Sequence, residues 1–205
     1  MNIIRLDLSA LLSALLAALL SALLAALLFA SGAAQAVEFT QFQADKSTLQ
    51  FVFKQMGVAV DGRFKKFSAT LAFDPARPAA ATARLELDLA SVDAGSADAD
   101  GEVVGKAWFN VKLFPTATFV ATAIRPLGGD KFELLGKLSI KDKTQAVSAP
   151  FSFREEGGHA IFAGAFVLKR LDFGVGDGIW SDVSAVANEV QIKFHIVAAP
   201  AAAGK

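Results

Sequence analysis

The chain has 205 residues with 20 basic and 20 acidic side chains, so it is formally neutral at pH 7. Neutrality argues against a nucleic-acid partner, which needs a basic surface to displace counterions. The absence of cysteine removes disulfides and thiolate chemistry.

After Arg5 and Asp7, the stretch Leu8 to Ala30 is uncharged and almost entirely Leu, Ala and Ser. Ala34 and Ala36 put small residues three and one before Val37, the spacing a signal peptidase requires. Residues 1–36 are therefore expected to be a signal peptide, with a retained anchor as the alternative, because the run is also long enough to span a bilayer. Either way the remainder is delivered across the membrane, to a periplasmic or secreted location.

Period-2 alternation, the mark of half-buried strands, dominates the chain after residue 46. Leu49, Phe51 and Phe53 alternate with polar or smaller neighbours. So do Phe67, Ala69, Leu71 and Phe73, up to Asp74-Pro75, and Leu85, Leu87 and Leu89 interleave with Arg84, Glu86 and Asp88. Ala117, Phe119, Ala121 and Ala123 lead to the hairpin signal Leu127-Gly128-Gly129-Asp130. Phe132, Leu134, Leu138 and Ile140 return from it. Val147, Ala149, Phe151 and Phe153 follow, then Phe162, Phe166 and Leu168 on a strand that reads as covered on both faces. Val190, Ile192, Phe194 and Ile196 complete the series.

These runs predict eight strands near 47–56, 62–74, 82–90, 116–125, 131–141, 144–154, 159–169 and 188–198. Of the two long connections, 91–115 holds Ser96-Ala97-Asp98, which could cap a short helix running through Val103, Val104, Ala107 and Trp108. The other, 170–187, is Gly-rich and carries Trp180. The Ala/Pro tail, residues 199–205 and Ala198 before it, is expected to be frayed and disordered. Short hairpins and one apolar face per strand predict an all-β chain, a closed eight-stranded antiparallel barrel over 37–198 with one short helix in a long connection. A two-sheet sandwich shares the same alternation.

The aromatic complement is 18 Phe and no Tyr. Rings without hydroxyls suit either a dry packed core or a cavity for an apolar ligand, since a phenolic OH would lack a partner in both. His159 and His195 are too few for a metal site. Gly174-Val175-Gly176-Asp177-Gly178 lacks the glycine and Lys-Ser/Thr positions of a phosphate loop, and no Gly-x-Ser-x-Gly occurs. No catalytic residue, metal ligand or cofactor is expected.

Five motifs resemble, in order, the YceI-like family: Phe64-Lys65-Lys66-Phe67 leading to Phe73-Asp74-Pro75; Ala90-Ser91-Val92-Asp93; Trp108-Phe109-Asn110 with Phe114-Pro115; Gly136-Lys137-Leu138-Ser139-Ile140-Lys141; and Lys169-Arg170-Leu171-Asp172-Phe173-Gly174. The resemblance runs from about residue 38 to 198 and implies a lipocalin-like barrel, exported, binding a polyisoprenoid, isoprenoid quinone or other long amphiphile in its lumen. Two places depart from the family pattern. Asp142-Lys143 stands where a glycine is expected, and Gln55-Met56-Gly57 where the first hairpin often carries a histidine.

The resemblance implies lumen contacts from Phe51, Phe53, Phe67, Leu71, Phe73, Leu87, Phe119, Leu134, Leu138, Phe151, Phe153, Phe162, Phe166, Ile192 and Phe194. At the mouth, Arg170 either meets a polar ligand group or pairs with Asp172 to pin the long loop. Trp108 and Trp180 pack across one end, their indole N–H groups bonded to backbone, or touch ligand directly. The partner is a lipid, with membrane contact only through the leader or during ligand exchange; monomer and homodimer both stay open. The alternatives are a filled barrel acting as an envelope stress or interaction module, and a quinone-binding accessory of a membrane redox enzyme.

Overall fold

The computed structural model describes residues 37–202; the expected signal peptide, 1–36, lies outside the described residues. Ala36–Lys205 separate as a compact unit with its own apolar clusters, the condition for a part of a chain to fold alone. In chain order its elements are β1 (Phe39–Phe42), β2 (Thr48–Gln55), β3 (Val58–Phe64), β4 (Phe67–Ala72), β5 (Thr82–Asp88), β6 (Val92–Asp93), α1 (Ala97–Val103), β7 (Thr116–Gly128), β8 (Lys131–Ile140), β9 (Lys143–Glu156), β10 (His159–Lys169) and β11 (Glu189–Pro200).

The described residues are all-β with one short α-helix, as expected, but the strand count is corrected. One antiparallel sheet follows the order β4-β5-β7-β8-β9-β10-β11-β2-β3-β6, with β1 paired on β11. It curls as a half-barrel rather than forming the expected closed ring of eight strands. β4, at one end of the path, is tied across the curl only locally. Phe39 and Phe73 exchange backbone hydrogen bonds of 2.9 and 3.1 Å, which ties β1 to the residue after β4. At the seam, the Lys65 amide donates to the Ser91 carbonyl (3.0 Å) and the Asp88 amide to the Lys66 carbonyl (3.1 Å).

The physical reason is that two expected strands are broken. Lys65–Lys66 interrupt the run 62–74, so β3 and β4 are separate strands. A 3-10 turn at Leu89–Ser91 interrupts 82–90 and displaces β6 onto β3. The buried Ser91 hydroxyl accepts from the Lys66 amide at 3.0 Å and holds this kink.

The tail is corrected as far as Pro200, while residues 203–205 lie outside the described residues. Ala198 is fully buried, and β11 continues to Pro200 because β1, a four-residue strand too short to show alternation, pairs with it from Phe39 to Phe42. Ser96 caps α1 through its hydroxyl, accepting from the Ala99 amide at 3.2 Å. The helix stops at Val103, so Ala107 and Trp108 lie in the turns beyond it. Along β10, Ile161 is buried but Val167 is exposed, so only its first half is covered on both faces.

Followed through the antiparallel pairings, the β2–β3 turn, residues 94–115 and residues 170–188 all lie at one end of the sheet. The glycine turns 128–129 and 157–158 lie at the other.

Candidate functional site

The inward side chains of the curled sheet do not meet. They enclose a cavity of about 610 Å³, well inside the range of roughly 300–1,000 Å³ typical of small-molecule sites. For scale, an apolar cavity of about 150 Å³ already takes up benzene and stays dry. The lining is almost wholly Phe, Leu, Ile, Val and Ala; its polar members, among them Gln55, Asp98 and Glu102, come mainly from exposed positions.

All the expected lumen residues except Phe67 and Phe153 line this cavity. Phe67 is diverted to the Phe42 ring, centroids 5.6 Å apart. Phe153 joins a ring cluster beyond the cavity's far end, 5.0 Å from Phe73 and 5.6 Å from Phe162. With Phe39 and Phe132 this cluster packs that end.

Other lining residues had a visible signal. Leu49, Leu85, Ile140 and Ile196 belong to the alternating runs. Ile124 did not. A bulge between Ala121 and Ala123 shifts the inward phase of β7, so Ile124 is buried where the alternation pointed to Ala123. Val103, Phe109, Phe173, Val175 and Val186 reach the cavity from the long connections, where no period marks them.

Three glycines let rings lie against the neighbouring strand. Gly62 receives Phe51, its register partner; Gly164 receives Phe194, likewise paired; Gly136 receives Phe119. A Cβ at any of these positions would collide with the ring.

At the loop end stands Arg170, only 2 % exposed. Neither the extended Arg170–Asp172 pair nor a free guanidinium is observed. Residues Arg170–Phe173 form a 3-10 turn, so positions two apart do not share a face, and Asp172 is exposed. Arg170 instead donates to five backbone carbonyls. Nε reaches Ala187 (3.1 Å), Nη1 reaches Val175 (2.9 Å) and Gly176 (2.8 Å), and Nη2 reaches Trp180 (2.6 Å) and Val186 (2.7 Å). That uses every donor a guanidinium has. Desolvation by burial pulls its pKa below the ordinary arginine value, yet the group stays charged. It pins the whole 175–187 strap, the loop-pinning role expected of it, with carbonyl dipoles in place of a carboxylate.

The guanidinium carbon also sits 5.3 Å from the Trp108 ring centroid, a cation–π contact. Trp108 and Trp180 pack at 5.5 Å and both line the cavity. Their indole N–H groups do not bond to backbone as expected. Trp180 Nε1 donates to Glu102 on α1 at 2.8 Å, and Trp108 Nε1 is buried with no partner among the described residues.

The departures from the family pattern also have local answers. Met56 and Gly57, both with positive φ (50° and 81°), form the tight β2–β3 turn. Beside Asp142-Lys143, Lys141 takes the positive φ of the β8–β9 turn (57°), and its Nζ donates to the Gly174 carbonyl at 2.6 Å, tying that turn to the residue before the strap.

A family model described as the YceI-like domain matches residues 41–198. A UPF0312 protein of Azotobacter vinelandii is 32 % identical over 174 residues, covering 81 % of this chain and 88 % of that protein. A UPF0312 protein of Pseudomonas aeruginosa is 28 % identical over 176 residues, covering 82 % and 90 %. Among solved structures, Burkholderia cenocepacia BcnA is 46 % identical with a TM-score of 0.75, covering 77 % of this chain and 99 % of that one. A polyisoprenoid binding domain from Saccharophagus degradans, 17 % identical with a TM-score of 0.62 over 81 % of this chain and 99 % of that one, shares the fold.

Proposed function

The chain belongs to the YceI-like domain family, and from that footing we propose that it is a lipid-binding protein holding a long apolar isoprenoid, isoprenoid quinone or similar amphiphile in its cavity. The observation that carries this reading is the 610 Å³ cavity with its apolar lining. Removing a methyl-studded chain from water is favourable by about 25 cal/mol per Å² of apolar surface, and Phe and Leu walls ask nothing of the ligand's polar chemistry. The polyisoprenoid-binding relative of the same fold supports the choice of ligand class. A filled barrel acting only as an interaction module does not suit a cavity of this size.

The protein acts as a carrier or sequestering protein rather than an enzyme. It works in the periplasm or outside the cell, delivered there by the leader read at residues 1–36.

Native mass spectrometry and lipid extraction of the protein purified from its own compartment test the proposal. The expected result is a co-purifying apolar lipid at one per chain, together with saturable uptake of a fluorescent isoprenoid. Absence of both overturns it.

A further inference from the structure

Of the large apolar side chains exposed at the loop end, four lie close together in the chain pairing: Met56 (80 %), Val58 (66 %), Ile179 (85 %) and Val183 (54 %). They belong to two segments that form one edge. The Met56 amide donates to the Ala185 carbonyl at 2.9 Å, and Gln55 bridges to Val186. The same two segments open onto the cavity, since Gln55, Trp180 and Val186 all line it. The apolar edge is therefore continuous with the mouth.

Met56 is out of place by every local rule. The first position of a tight hairpin turn with positive φ favours Asn, Asp or Gly, and Met has no side-chain group to compensate a φ of 50°. Exposing an unbranched apolar side chain there serves neither the turn nor solubility. The opposite end of the sheet shows the ordinary solution, with turns built of Gly128-Gly129 and Gly157-Gly158 beside Asp130, Glu155 and Glu156.

We propose that Met56, Val58, Ile179 and Val183 form a docking rim that seats the cavity mouth on the surface of a net-neutral lipid bilayer. The inference rests on the lipid-binding reading above. A water-insoluble chain passes between bilayer and cavity at lowest cost where the two apolar media touch, and the rim supplies that contact. The bilayer is net-neutral because the two rim segments, 54–58 and 177–183, carry two aspartates against one lysine. Asp177 and Asp182 flank Ile179 and Val183, and exposed Glu102 is bonded to Trp180, against Lys54 whose carbonyl accepts from the Ala187 amide. Anionic headgroups are repelled.

The test uses residues 37–205, the unit with its own core, so that the apolar leader does not itself bind vesicles. Flotation with phosphatidylcholine vesicles is compared for the wild type, a rim variant (Met56→Asn, Val58→Thr, Ile179→Ser, Val183→Thr) and a far-end control, Leu127→Ser. The rim variant partitions at least about tenfold less, the control partitions as wild type, and adding phosphatidylglycerol lowers wild-type binding. Transfer of a fluorescent isoprenoid from vesicles slows in the rim variant, while its equilibrium uptake from dilute ethanol stays unchanged.

Wild-type protein that fails to float, a rim variant that floats equally well, or binding that rises with phosphatidylglycerol overturns the proposal. So does a wild-type dimer that the rim variant breaks while neither floats, because a second copy then covers the rim. Absence of isoprenoid uptake by wild type and variant alike, with flotation as expected, instead overturns the cargo reading and leaves the docking result standing.

Discussion

Arg170 donates from Nη2 to the carbonyl of Val186 at 2.7 Å, across sixteen positions of chain, and both residues line the cavity. A single buried cation thus holds the strap that borders the cavity mouth at the loop end. Its five partners are all carbonyls, so removing it strands five acceptors at once.

Arg170→Met is expected to lower stability by about 3 kcal/mol or more, since several buried carbonyls are left without donors. Arg170→Lys recovers only part of this, because an ammonium has three donors and no planar fork. Urea unfolding checks the ranking, and hydrogen exchange at Gly176 and Asp177, whose amides both donate to Ala107, checks that the strap loosens first. Equal midpoints for the three proteins refute the pinning role.

Two glycine substitutions are expected to move stability in opposite directions. At Gly164 a Cβ would press on the Phe194 ring and the Pro150 carbonyl, so Gly164→Ala costs about 1–3 kcal/mol. Gly101 lies inside α1 with open space around it, so Gly101→Ala stabilises by about 0.5–1 kcal/mol through helix propensity. Thermal unfolding of both variants decides it; equal shifts contradict the packing account.

Ala83→Phe distinguishes a hollow lumen from a filled one. Ala83 lines the cavity, so the added ring enters empty space. Isoprenoid affinity should fall about tenfold or more while the unfolding midpoint stays or rises. In a filled core the same change would destabilise by about 1–3 kcal/mol.

Asp74, beside the Phe39–Phe73 bridge, should contribute to acid sensitivity. The Arg77 side chain, donating from Nε at 2.7 Å, and then the Ala76 amide hold its carboxyl below the ordinary aspartate pKa. A folded-state pKa below the unfolded value of about 3.9 means stabilisation that is complete above that value and lost as pH falls through the folded one. Asp74→Asn should flatten the stability–pH curve below about pH 4 and leave its shape near neutrality unchanged. A variant as acid-sensitive as wild type removes Asp74 from the account.

The strands legible in the sequence were those with a long enough run to show their period. Leu85-x-Leu87 and Ile192-x-Phe194 announced β5 and β11, and their inward residues line the cavity. β1 and β6, four and two residues long, have too little length for a period to appear. Their existence depends on a partner already being in place, β11 for one and β3 for the other. The bulge in β7 hid Ile124 for a related reason: a one-residue slip inverts the face of everything after it.

The sequence by itself determined an all-β chain, its main inward face, the Ser96 cap and the loop-end grouping of Arg170, Trp108 and Trp180. Each is carried by local pattern or short spacing. Only the tertiary structure decided that the sheet curls as a half-barrel tied at Phe39–Phe73, that Arg170 is satisfied by carbonyls rather than by Asp172, and that the Phe-rich face encloses space instead of filling it. Whether opposed rings meet is set by the curvature of the whole sheet and by where each ring can fold down. Gly62, Gly136 and Gly164 receive Phe51, Phe119 and Phe194 only because strand register brings them side by side.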